Sequence, residues 1–115
     1  MNHYLLSVCY PAGTVPPPPD QLAVISKELA AVNNEMKANG TWVFGGALQA
    51  PGAATVVRAS GGETLVTDGP FVETKEQIGG IAVIRAADDD TARSWAAKLA
   101  RVIGVPIEVR PLQPH

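Results

Sequence analysis

Two stretches of helical periodicity, set among short apolar runs, constrain the fold of this sequence more than any other feature. In the first, apolar residues recur at spacings of three and four between a candidate N-cap at Asp20 and a stop at Gly40. Its stripe consists of Leu22, Ile25, Leu29, Val32 and Met36. The second opens with the acidic residues 88–90, which favour the positive end of a helix dipole, and ends at Gly104. Its apolar face consists of Ala92, Trp95, Ala96, Leu99 and Ile103.

Six apolar or β-branched runs around these helices are typical of β-strands. They span residues 3–10, 41–48, 55–59, 63–67, 81–85 and 105–112. Gly61 and Gly62 favour a hairpin between the third and fourth runs, and one helical turn is predicted at residues 74–77, before Gly79 and Gly80. The order β-α-β-β-(β)-β-α-β predicts an α+β, ferredoxin-like subunit. We expect an antiparallel sheet with two helices on one face, and the hairpin strand as an elaboration.

Length and composition exclude several classes of protein. At 115 residues, 46% of them hydrophobic, the chain is expected to form one domain, residues 1–115, with a core that needs no disulfide. A net charge of −2 and an aromatic content of 5% argue against nucleic-acid binding. No apolar run approaches the roughly 20 residues that span a bilayer, and no basic targeting region is visible. With Cys9 as the single cysteine, we expect a soluble, cytoplasmic protein.

The strand-like runs also predict a homodimer. Two helices cover one face of such a sheet, and a face in contact with water normally gives strands that alternate apolar and polar residues. The runs at residues 5–6, 43–44 and 81–84 are continuously apolar instead. A second copy packed sheet against sheet would cover the remaining face. The alternative is a groove for a ligand or another protein.

The stretch 67–80 holds the main candidates for chemistry. It carries Asp68, Glu73, Lys75 and Glu76 in a loop between two strands, where binding and catalytic groups are often found. An aspartate that caps a turn often accepts the backbone N–H two residues on, and here that residue is Pro70, which has none. Asp68 is therefore either a functional carboxylate or a turn residue that reaches a later N–H.

Other signatures of chemistry are few. The histidines are His3 and His115, which with Cys9 do not make a metal cluster within one subunit, so no metal site is expected. There is no phosphate-binding loop and no nucleophile elbow, and we expect no cofactor. The aromatic residues Trp42, Phe44, Tyr4 and Phe71 are candidates for lining an apolar pocket, although core packing is the more usual explanation for each of them.

The stretch 68–80 resembles the DGPF-type members of the YCII-related family. The resemblance rests on the tetrapeptide at residues 68–71, the run Glu-Thr-Lys-Glu-Gln at 73–77, and Gly79 with Gly80 leading into a strand. It implies a ferredoxin-like subunit and a dimeric α+β barrel. A suspected enzymatic role of the wider family rests on a His–Asp pair, but no histidine here follows the first strand or lies in the first helix. The resemblance also implies a regulatory setting, because genes of this type often neighbour those of extracytoplasmic-function sigma factors.

Two functional hypotheses follow. In the first, the protein is a cofactor-free enzyme that carries out isomerase- or lyase-like acid/base chemistry on a small organic acid or ketone. Asp68 is then the general acid or base, and Lys75 or Arg58 stabilises developing negative charge. The ligand-binding residues in this hypothesis are Arg58, Phe71, Glu73, Lys75 and Trp42. In the second, the protein is a non-catalytic ligand-binding or regulatory module linked to a sigma factor.

Overall fold

The computed structural model describes residues 1–70 and 75–114. Its helices are α1 (Pro19–Ala38) and α2 (Asp89–Ile103). Its strands are β1 (Asn2–Pro11), β2 (Trp42–Ala47), β3 (Thr55–Ser60), β4 (Glu63–Asp68), β5 (Glu76–Ala86) and β6 (Ile107–Pro111). Four strands form an antiparallel sheet in the order β2-β5-β1-β6, the ferredoxin-like arrangement that the element order predicts.

Both helices pack on one face of this sheet and enclose the core. The central strands contribute alternate residues to it, Tyr4 and Leu6 from β1 and Ala82 and Ile84 from β5. The helices contribute Met36, Ala92, Ala96 and Leu99. The predicted α+β class with two helices on one face is therefore confirmed. No helix in the described ranges combines the length and apolarity needed to cross a membrane.

A polar contact ties the sheet to α2. The buried Tyr4 hydroxyl donates a hydrogen bond to Asp89 Oδ1 at 2.7 Å. Because the bond uses the phenolic proton, it raises the pKa of Tyr4, and burial of the ring acts in the same direction. The side chain thus adds a satisfied polar group to the core.

Helix α1 begins two residues earlier than predicted, and most of its apolar stripe is only partly buried. Pro19 is its first residue, because proline is pre-organised for the first helical turn, and Asp20 lies in that turn without capping it. The predicted N-cap at Asp20 is therefore wrong. Of the apolar stripe, only Met36 is fully buried, whereas Leu22 at the other end is 40% exposed.

Helix α2 has the ends that its sequence predicts. The Asp88 carboxylate accepts a hydrogen bond from the backbone N–H of Thr91 at 2.8 Å, and Gly104 closes the helix in the left-handed conformation at φ 81°. The bond from Thr91 lowers the pKa of Asp88, because it stabilises the charged carboxylate.

We expect this cap to make stability depend on pH. A carboxyl whose pKa is lowered by folding stabilises the protein above its unfolded pKa, near 3.8, and loses that effect as the pH falls through the folded pKa. The melting temperature of Asp88→Ala should therefore lie below that of the parent at neutral pH, and the gap should narrow below about pH 4. Asp20→Ala, which removes an acidic residue without a capping bond, should show a smaller gap. A gap for Asp88→Ala that stays constant across this range would contradict the assignment.

Strands β3 and β4 form a hairpin outside the main sheet. Gly61 and Gly62, both at positive φ, make its turn as predicted. The hairpin is a separate two-stranded sheet instead of a further strand of the main one. Its apolar side chains are exposed, and a two-stranded hairpin alone is only marginally stable in water.

Strand β5 begins earlier than predicted. Glu76 and Gln77 are extended and pair with Pro11 and Tyr10, so the helical turn predicted for residues 74–77 is wrong at its two final positions. Residue 74 lies outside the described ranges. The strand continues through Gly79, which sits at a bulge in the pairing with β1. A Cβ at this position would lie 2.1 Å from Tyr10 Cε2. The Tyr10 ring occupies the space of the missing side chain.

Candidate functional site

A cleft of about 640 Å³ lies beside the loop that the sequence identifies as the candidate site. One wall is the segment between β2 and β3, which contains a short 3-10 turn at Pro51–Ala53. Pro70 and the first residues of β5, Glu76 to Ile78, complete the lining. The walls are mainly apolar, and the volume lies within the range of small-molecule sites.

Backbone hydrogen bonds hold this cleft together. Gly69 N–H donates to Ala54 O at 2.8 Å, which attaches the start of the loop to the segment before β3. Leu48 N–H donates to Gly79 O at 2.9 Å, which attaches the end of β2 to β5. Gly69 has a φ of 87°, a left-handed conformation that favours glycine at this turn.

Asp68 is the last residue of β4 and pairs with Thr55 in the hairpin. Its side chain is exposed and has no hydrogen-bond partner within residues 1–70 and 75–114. It lies two residues before Pro70, which lines the cleft, and is not itself among the described residues that line it.

Arg58 lies on the other face of the hairpin from Asp68. The unbroken register pairs Thr55 with Asp68 and Arg58 with Leu65, and side chains alternate between faces along each strand. Thr55 and Asp68 therefore share one face, and Arg58 and Leu65 share the opposite one. Within one subunit the hairpin does not bring Arg58 to the Asp68 carboxylate.

Lys75 and Glu76 lie where the chain enters β5. The Lys75 carbonyl accepts the Ala12 N–H at 2.6 Å, which fixes its backbone to the end of β1, and its side chain is exposed. Glu76 lines the cleft. The predicted ligand-binding residues Phe71 and Glu73 lie outside the described residues.

Trp42 is separate from the loop. It is half-buried at the start of β2, and a Cβ added at Gly45 would lie 2.6 Å from its Cη2 atom. The ring thus packs on Gly45, and the Lys37 ammonium lies 5.4 Å from the ring centroid. Trp42 lines a different cavity from the cleft beside Pro70.

The cleft wall between β2 and β3 was missed by sequence reasoning. The residues 48–54 carry no ionisable group, so no chemical signal marked them. Their position in a loop between two strands, with Pro51 fixing a turn, is the one cue that the sequence offers. In the ranges described, no group of three or more His, Cys, Asp or Glu side chains is placed to hold a metal ion.

These features define a ferredoxin-like α+β protein with a loop cleft at one end of its sheet. The chain belongs to the family of the YCII-related domain, whose profile matches residues 1–113. It is also 48% identical over 62 residues to an uncharacterized protein of Rhizobium meliloti (strain 1021). That match covers 52% of this chain and 50% of the relative, so the matched segment spans half of the relative's length.

Proposed function

We propose that this protein is a homodimer that binds a small organic molecule in the cleft beside Pro70 and transfers a proton to or from it through Asp68. The observation that carries the proposal is the cleft itself, about 640 Å³ with mainly apolar walls, formed in part by the loop that contains Asp68. The Glu76 carboxylate in the wall and the nearby Lys75 ammonium supply polar contacts that orient a ligand.

The proton transfer is assigned to Asp68 because this carboxylate lies two residues before Pro70, which lines the cleft. A general acid or base has to come within hydrogen-bond reach of the atom that gains or loses the proton. A ligand in contact with Pro70 touches the residue that follows Asp68 by two positions in the chain. Lys75, and not Arg58, is the cation we propose to stabilise negative charge, because Arg58 projects from the opposite face of the hairpin.

The exposed side chain of Asp68 favours a second candidate function, ligand binding without turnover. A general acid usually lies in apolar surroundings, whereas β4, which ends at Asp68, is exposed along its whole length. In this alternative the protein is a ligand-responsive module in the regulatory setting of a sigma factor. Such a protein would raise its melting temperature with a ligand and leave that ligand chemically intact.

The Asp68→Asn variant tests the catalytic part of the proposal. With 2-oxo acids such as oxaloacetate as probes in heavy water, we expect the parent to accelerate deuterium incorporation next to the carbonyl, measured by proton NMR. The rate acceleration by the variant should be about 10²–10⁴-fold smaller than that by the parent. Its free energy of unfolding should change by no more than about 0.5 kcal/mol, because the carboxylate has no described partner.

Glu63→Gln is the matched control, since Glu63 is an exposed carboxylate at the other end of the hairpin. The Glu63→Gln variant should accelerate deuterium incorporation as much as the parent does. If the parent gives no acceleration while a probe raises its melting temperature, the binding module is the correct function.

The homodimer is proposed from the sheet face that the helices leave uncovered, here called the open face. The register places Leu5, Val83 and Phe44 side by side on it, across β1, β5 and β2. At the β6 edge, Arg110 and Glu108 form an ion pair of 2.7 Å. An apolar centre with a charged rim is the usual anatomy of a protein–protein interface.

The hairpin supports the same proposal independently. Val57 is 62% exposed and Val66 63% exposed, although both are apolar and share one face of the ribbon. The Cα radius of gyration is 16.2 Å, whereas a compact chain of about 100 residues has a value near 13 Å. A second copy that contacts the hairpin and the open face would cover both surfaces and make the assembly compact.

A further inference from the structure

A second cavity, of about 440 Å³, lies between α1 and the sheet. Among the residues that the structure describes, it shares no lining residue with the cleft beside Pro70. Four residues of α1, each four positions after the last, form its roof: Ile25, Leu29, Asn33 and Lys37. This spacing keeps them on one side of the helix.

The sheet beneath α1 carries small residues where β2 meets β5. On the face that the helices cover, the register places Gly45 beside Ala82 and Ala47 beside Gly80. The Trp42 ring packs on Gly45, and Gly80 and Ala82 line the cavity beside it. Near the other end of α1, Leu22 is 40% exposed and is not among the residues that line the cavity.

One end of this apolar cavity is cationic. The Lys37 ammonium lies 5.4 Å from the centroid of the Trp42 ring and has no carboxylate partner among the residues described. The acidic residue two positions earlier, Glu35, pairs with Lys98 at 2.9 Å and so does not neutralise it. The Asn33 side chain, one turn away on the same side of α1, adds an amide with both donor and acceptor atoms.

We propose that this cavity binds a small organic carboxylate with an apolar body. The body lies beside the Trp42 ring, over Gly80 and Ala82, and the carboxylate accepts hydrogen bonds from the Lys37 ammonium and the Asn33 amide. The exposed Lys37 side chain lies over the Trp42 ring, so its ammonium meets a carboxylate at the edge of the cavity while the apolar body of the ligand enters it. Lys37 selects the charge of the ligand, and the apolar lining selects its body.

The proposal is tested by NMR titration of the full chain with naphthoate and with its neutral isostere naphthalenemethanol. Naphthoate should shift the backbone amide signals of Gly45 and Gly80. The substitution Lys37→Gln should weaken the binding of naphthoate about tenfold and have little effect on the binding of naphthalenemethanol. Lys27→Gln, on the same helix but outside the cavity, is the control and should bind as the parent does. Ala47→Leu, which fills the cavity from the end of β2, should abolish binding of both compounds.

Three results would overturn the proposal. The first is a parent whose Gly45 and Gly80 signals do not move with naphthoate. The second is equal naphthoate affinity in Lys37→Gln and the parent. The third is a titration that moves the signals of Ala53 and Ala54 instead, which assigns the compound to the cleft beside Pro70.

Discussion

Replacing Phe44 by glutamate is expected to convert the proposed homodimer into a folded monomer. Phe44 is 61% exposed in the single chain and pairs with Val83, so the substitution places a charge in the apolar centre of the open face. In a dimer the carboxylate would be buried without a partner, at a cost of several kcal/mol for each of the two symmetric copies. Sedimentation velocity should give the mass of one chain, with the circular dichroism spectrum of the parent.

Two control variants separate the interface from general effects of the substitution. Phe44→Leu keeps an apolar side chain and should remain dimeric. Val24→Glu introduces the same charge at an apolar position of α1 that is 56% exposed and lies away from the open face, and it should also remain dimeric. A Phe44→Glu protein with the same mass as the parent would place the interface elsewhere.

The largest loss of stability is expected from Ile84→Ala. Ile84 is fully buried near the end of β5, between Tyr4 of β1 and Trp42 of β2, where the sheet meets the helices. Removing three carbon atoms from this site leaves a cavity that its neighbours cannot fill, at a cost of about 2–5 kcal/mol. Urea unfolding should show this as a lower midpoint with an unchanged slope.

The matched control for Ile84 is Val24→Ala. It also removes carbon atoms from a β-branched residue, but at an exposed helix position, and alanine has the higher helix propensity. We expect a change within about 0.5 kcal/mol. Similar losses for the two variants would mean that the helices do not pack on this face of the sheet as described.

Features with a local cause could be predicted from the sequence. Asp88 and Gly104 bound α2 through contacts within a few residues, and Gly61 with Gly62 make the hairpin turn by their own backbone conformation. The ferredoxin-like order follows from the sequence of helical and strand periods. Each of these signals is contained in a short window and does not depend on distant residues.

Features that depend on distant residues could not be predicted from the sequence. Gly79 reads as the end of a helical turn until the Tyr10 ring, 69 positions earlier in the chain, is seen to occupy the space of its missing side chain. The grouping of Arg58 with Asp68 fails for a similar reason, because the pairing register decides which face each side chain takes. The cavity under α1 is lined by residues of several strands that meet only in the folded sheet.

The homodimer is the central claim, and the solution mass of the full chain tests it most directly. One chain has a mass of 12.0 kDa. Sedimentation equilibrium at micromolar concentrations should give about 24 kDa, twice that value, since the open face and the hairpin together present an extended apolar surface to a second copy. A mass of one chain across the whole concentration range would contradict the account and leave both surfaces without the partner proposed for them.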